Sequence, residues 1–169
     1  MRRCLLSFIF LFMVSCIGIR KYTPLHYYDL GQAEFHETKL SIGSIHQDGP
    51  YKSRIISRTS ESELAINEYN RWSQSPDLML SHYLKKSFQP GGVYLLDGEI
   101  ISFENNYIEK KATLSFYYEV SKNGRLITTG FYKKETTSGP SPKDFAKSMS
   151  KLAKDLTNKI HAKIISLKK

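Results

Sequence analysis

The dipeptide Asn123-Gly124 constrains this chain more than any other pair of residues. It lies between two long runs of strand-forming residues. Asn and Gly both tolerate the positive φ of a two-residue type I′ turn, the connection whose twist matches antiparallel strands. Such a turn sets Lys122 opposite Arg125. It thereby sets Val120 opposite Ile127, Tyr118 opposite Thr129 and Phe116 opposite Phe131. All of these pairs fall on one apolar face, so Ala112, Leu114, Phe116, Tyr118 and Val120 form a continuous inward row. An earlier strand, Val93 to Glu104, precedes a second from Ile108 to Ser121, and the hairpin adds a third. A turn near Asn105-Asn106 would set Phe103 opposite Ile108 on the same face. Asp97 and Glu99 break the inward row, and Gly98 between them is read as a bulge that rotates the strand.

A face of that size needs a cover, and two helical patterns supply it. Ser141-Pro142-Lys143-Asp144 has the form of a capping box, followed by Phe145, Met149, Leu152, Leu156, Ile160 and Ile164 at spacings of three and four. Ser75-Pro76-Asp77 opens a shorter helix. There Ser75 is expected to accept from a free amide and Pro76 has none to leave unpaired. Leu80, Tyr83, Leu84 and Phe88 recur along it, and Pro90-Gly91-Gly92 is read as its stop. Arg54 to Trp72 reads as two strands turning at Ser60-Glu61-Ser62. Leu25 to Leu30 and Lys39 to His46 are further strands, the latter with Leu40, Ile42 and Ser44 on one face. The expectation is a single α+β domain over residues 25–169: a largely antiparallel, twisted sheet of about six or seven strands with two helices packed on it.

The stretch from Arg54 to Phe88 carries a resemblance. It contains Ile55-Ile56-Ser57-Arg58, then Glu63-Leu64, Tyr69, Arg71-Trp72 and Pro76. An apolar strand ending in Ser-Arg, a polar turn, a strand with Glu, Leu and aromatics, an Arg-Trp pair and a Pro-initiated helix follow in that order. This resembles the ABC-type transport auxiliary lipoprotein family, the group containing the paraquat-inducible lipoprotein. The likeness covers most of the chain after residue 15 and is sharp over Arg54 to Leu84. It implies a lipoprotein partner of a lipid-transport system that uses an ABC transporter and MCE-domain proteins. Many members also begin with a strand containing Tyr-Tyr, as Leu25 to Leu30 does here.

The N-terminus agrees with that implication. Arg2 and Arg3 precede an apolar run, Leu5 to Val14, shorter than the roughly 20 residues a membrane-spanning helix needs. The run ends at Met13-Val14-Ser15-Cys16, so residues 1–15 read as a lipoprotein signal peptide and Cys16 as the lipidated residue. An ordinary secretory signal is the alternative. Met13 stands where lipoprotein signals usually carry Leu. The other cysteine, Cys4, lies inside the signal, so the mature chain has no pair to form a disulfide. Residues 16–24 are then the acylated cysteine and a tether, of which Ile17 to Pro24 reaches at most about 28 Å. Ile17 in place of Asp leans towards the outer membrane, with the domain facing the periplasm of a bacterial cell envelope.

Net charge is +9, and loss of Arg2 and Arg3 leaves +7. Much of the excess is on the terminal helix, including Lys143, Lys147, Lys151 and Lys154. A solvated helix face opposite the apolar stripe accounts for them. Contact with anionic lipid heads or an acidic partner is the sharper reading. An exported chain has no access to nucleic acid, and no nucleic-acid-binding motif is present.

Catalytic signatures are missing. There is no Gly-x-Ser-x-Gly, phosphate-binding glycine loop or His-Glu-x-x-His. His26, His36, His46, His82 and His161 are scattered without metal-ligand spacing. The expectation is a non-enzymatic protein with no catalytic residues, no metal and no cofactor. Arg71 and Trp72 are the candidate partner contact, since Trp and Arg are enriched at interface hot spots. A core role for Trp72, with Arg71 bonded to a carboxylate or a helix end, is the simpler reading. The expected partners are an MCE-domain protein, the membrane through Cys16, and phospholipid, with a homo-oligomer left open. A structural or assembly lipoprotein of outer-membrane biogenesis is the alternative function.

Overall fold

A computed structural model of the chain describes residues 22–167. The signal peptide, Cys16 and most of the tether lie outside the described residues. The elements in chain order are β1 (His26–Tyr28), β2 (His36–Lys39), β3 (Ser41–Gln47), β4 (Arg54–Arg58), β5 (Leu64–Trp72), α1 (Pro76–Ser87), β6 (Phe88–Gln89), β7 (Tyr94–Asn106), β8 (Lys111–Lys122), β9 (Arg125–Thr137) and α2 (Pro142–Ser166). Seven strands form one mixed, mostly antiparallel sheet, in the order β1-β5-β4-β7-β8-β9, with β3 also on β7. β2 and β6 form a separate parallel pair. The α+β class, the strand number and the two helices match the expectation.

The long strand β7 is the spine. Along one edge it pairs with β8 over its whole length. Its other edge is shared, with β3 taking Leu95 to Ile100 and β4 taking Asn105 and Asn106, both in parallel. The two helices cover one face. Phe145, Met149, Leu152, Leu156, Ile160 and Ile164 of α2 are all fully buried, as are Leu80 and Leu84 of α1. Each such side chain contributes about 1.5–3 kcal/mol relative to leaving it in water. They meet the inward row of β8, where Ala112, Leu114, Phe116, Tyr118 and Val120 are buried.

The turn at Asn123-Gly124 forms with positive φ at both residues, 51° and 76°, and Lys122 pairs with Arg125. Beyond that pair the expected register fails. Ser121 faces Leu126 and Val120 faces Thr128, so Ile127 is an extra residue that bulges from β9. Tyr118 consequently faces Gly130, not Thr129, and Phe116 faces Tyr132, not Phe131. The physical reason is the Tyr118 ring. It lies where a Cβ at position 130 would be, so only glycine fits opposite it. The slip of one residue turns Phe131 to solvent and buries Tyr132.

The preceding turn is also corrected. β7 runs on to Asn106, whose Oδ1 accepts from the Glu109 amide at 3.0 Å, and Lys110 adopts φ 52°. Phe103 therefore faces Leu114, and Ile108 is exposed in the turn. Gly98 pairs regularly with β8, so β7 itself does not bulge there; the extra residue opposite it is in β3. Gly98 faces Tyr118, and a Cβ there would strike the Phe116 ring and the Tyr117 carbonyl. The register shift of β7 against β8 falls between Ile100 and Ser102. A second shift separates Ile42 from Ile45 in β3, where Asp97 accepts from the Ser44 amide at 2.8 Å. That shift brings Ile45 into the core in place of Ser44.

The helix signals have different outcomes. Ser141 accepts from the Asp144 amide, Asp144 returns to the Ser141 amide, and the capping box is complete. The Ser141 hydroxyl bonded to Asp144 holds that carboxyl below its usual range. Ser75 makes no side-chain cap; only its carbonyl is engaged, by the Met79 amide. α1 ends before Pro90-Gly91-Gly92, because Phe88 turns extended to pair with β2.

Candidate functional site

Trp72 closes β5 and points inward. It is 1% exposed, its ring centroid 5.3 Å from Phe103 of β7 and 5.5 Å from Phe145 of α2. The sheet-to-helix junction is thus filled by three aromatic rings, the edge-on contact with Phe103 being a favoured geometry. Its neighbour Arg71 points the other way and is part-exposed. The Arg71 Nε donates to the Glu68 carbonyl at 3.4 Å, a partner that is neither a carboxylate nor a helix end.

The four lysines separate. Lys154 pairs with Glu34 at 2.8 Å. That hydrogen bond raises the lysine above its ordinary pKa and lowers the glutamate below its own. Lys143, Lys147 and Lys151 follow one another at intervals of four along α2, and all three line a groove with β1. The groove has a volume of about 570 Å³. Its other walls are Tyr27, Tyr28, Ala146 and Ser150, with Asp29 and Gly31 at one end. Asp29 is engaged locally, accepting from the Gly31 amide at 2.7 Å. Ser150 Oγ donates to the Leu30 carbonyl at 2.7 Å and fixes the strand end against the helix.

The tyrosines were legible as a strand, but not as a wall of this groove. β1 is an edge strand, parallel to β5, and that non-local pairing has no signature in the sequence. In its register Tyr27 is opposite Arg71 and Tyr28 opposite Trp72, while Arg71 in turn faces Arg54 across β4. Tyr27, Arg71 and Arg54 therefore share the outer face.

The histidines do not converge on a cation site. His36 stacks on His161 with centroids 4.3 Å apart, and Thr38 Oγ1 lies 2.9 Å from His161 Nδ1. Among the described residues no three His, Cys, Asp or Glu side chains are grouped for a metal. Among the same residues no helix is long and apolar enough to cross a membrane.

No known protein-family model and no curated protein matches the sequence. The fold is shared with solved structures. The crystal structure of an uncharacterized protein superimposes with a TM-score of 0.73 at 16% identity, over 84% of this chain and 99% of its own. A Xanthomonas campestris protein of the DUF330 family gives a TM-score of 0.63 at 15% identity, over 82% of this chain and 89% of its own. At such identities the likeness is one of fold.

Proposed function

We propose that this protein is a membrane-tethered, non-enzymatic auxiliary lipoprotein of an ABC/MCE-type intermembrane lipid-transport system. The observation that carries the reading is a coincidence of two independent likenesses. The residues that resemble the transport auxiliary lipoproteins are Ile55 to Arg58, Glu63-Leu64, Arg71-Trp72 and Pro76, and they make up the β4–β5–α1 unit at the centre of the fold. That same fold is shared with the DUF330 protein over most of both chains. In this reading acylation of Cys16 holds the domain at the periplasmic face of the outer membrane. Several acyl chains anchor firmly where one would not. The domain then docks an MCE-domain protein and guides phospholipid without chemistry of its own.

The test is a mild crosslink in the native cell, purification through a tag after Lys169 and mass spectrometry. Recovery of an MCE-domain protein with its transporter is the expected result. Recovery of outer-membrane assembly factors, with no MCE protein at any crosslinker length, would replace this reading by a role in outer-membrane biogenesis.

A further inference from the structure

We propose that the groove between β1 and the first half of α2 is the face the domain lays on an anionic bilayer. Lys143, Lys147 and Lys151 would contact phospholipid headgroups, and Tyr27 would sit among them. The inference uses the membrane tether of the proposed function and not its transporter partner.

Charge is the first argument. The three lysines on the groove wall are exposed, and none of them is in an ion pair among the described residues. Lys154, one turn further along, is neutralised by Glu34 and drops out of the set. Arg71, the register partner of Tyr27, is on the outer face of the sheet and does not line the groove. The acids nearby are Asp29, which accepts from the Gly31 amide, and Asp144, which accepts from Ser141 and also attracts Lys143 and Lys147, so the three lysines outnumber the two carboxylates. An excess of cations on one face is attracted to anionic lipid by about 1 kcal/mol per Lys or Arg near the surface.

Exposed apolar area is the second. Tyr22 is 85% exposed, Leu25 43% and Tyr27 61%, all at the point where the chain enters the fold. An exposed tyrosine beside lysines is the composition of a membrane–water interface, where the ring lies at headgroup depth and lysine stems lie along apolar surface.

Position is the third. Tyr27 is eleven residues from Cys16, a span of at most about 40 Å when fully extended. An acylated Cys16 therefore keeps β1, and the groove with it, closer to the bilayer than any later part of the chain has to be. The tether confines the domain; the lysines and Tyr27 would choose the side that faces down.

The full chain is added to vesicles of phosphatidylcholine alone, or of equal parts phosphatidylcholine and phosphatidylglycerol, at saturating lipid. Lysine acylation by an amine-reactive probe is then read residue by residue. On anionic vesicles Lys143, Lys147 and Lys151 should react about fivefold more slowly than on neutral ones, the factor that one lysine's attraction corresponds to. Lys85 and Lys133, exposed on α1 and β9, should react at the same rate on both. The difference should vanish at about 1 M salt, where charges are screened beyond about 3 Å. Equal rates for the groove lysines on the two vesicles, or equal slowing of Lys85 and Lys133, would overturn the proposal. Neither result bears on recovery of an MCE-domain protein in the cell, so the two readings can fail separately.

Discussion

Arg58 holds Glu104 with two arms of its guanidinium: Nε donates to Oε1 at 2.9 Å and Nη2 to Oε2 at 3.0 Å. The third, Nη1, donates to the Glu61 carbonyl at 2.9 Å and closes the β4–β5 turn. The Glu104 side chain is only 12% exposed. β4 meets β7 through two register pairs, Ser57 with Asn105 and Arg58 with Asn106, and this fork adds a side-chain link between them. The arginine that carries the family resemblance is thus engaged inside the domain. Glu104→Gln keeps the shape and removes the charge. It should lower the unfolding free energy by about 1–2 kcal/mol, between the values for exposed and buried pairs. Arg58→Lys should act in the same direction, because an ammonium cannot reproduce the fork. Urea unfolding of the three proteins measures this, and a variant as stable as the parent would contradict it.

Trp72 offers a direct readout, being the chain's only tryptophan. Its burial between Phe103 and Phe145 predicts blue-shifted fluorescence in the native state that moves red on unfolding. Trp72→Ala should cost about 3–5 kcal/mol through the cavity it opens. Trp72→Phe should cost less, since a ring still fills part of the site. Near-ultraviolet circular dichroism and thermal melts report the outcome. A Trp72→Ala protein that melts with the parent while losing a partner would show the residue to act at an interface.

Gly130 and Tyr118 form a pair in which one residue exists to admit the other. The ring occupies the space of a Cβ at position 130, so Gly130→Ala should destabilise by about 1–3 kcal/mol, the usual cost of overpacking. Shortening the ring should relieve it. In the double variant Gly130→Ala with Tyr118→Leu, the loss should fall below the sum of the two single losses. Gly98→Ala should not be rescued by trimming Phe116, since the Tyr117 carbonyl also lies 2.8 Å from its would-be Cβ. Additive losses in the first cycle would remove the ring as the cause.

These glycines also mark where the sequence stopped being readable. Local signals translated well: the Asn123-Gly124 turn, the Ser141 capping box and the six-residue stripe of α2 each depend on neighbours within a turn or two. The register of β9 did not, because the bulge at Ile127 answers to a ring on the adjacent strand. Alternation alone favoured Phe131 over Tyr132 for the core, and the two differ by one position. The parallel pairing of β1 with β5 was invisible for a similar reason. With it went the groove: the lysines were legible as a charged helix face, whereas Tyr27 became their neighbour only through that pairing.

Tyr132, buried by the bulge, should govern the alkaline limit of stability. Its hydroxyl donates to the Leu152 carbonyl at 3.1 Å, tying β9 to α2. Burial pushes the phenol far above its ordinary range, and the Asp155 carboxylate pushes it further. Tyr51, Tyr83 and Tyr118 are raised as well, chiefly by burial. A phenol whose pKa is raised by folding binds its proton more tightly in the native state. Its contribution is complete below the unfolded value of about 10 and is lost as pH climbs towards the folded one. Tyr132→Phe should lose about 1 kcal/mol near neutral pH, with the hydrogen bond gone. Above pH about 10 the parent should then lose about 1.4 kcal/mol per pH unit more steeply than the variant, so the gap between them closes within about one pH unit and then reverses. Urea unfolding from neutral to strongly alkaline pH measures both slopes. Parallel slopes would mean that the Tyr132 phenol ionises as readily in the fold as in the unfolded chain.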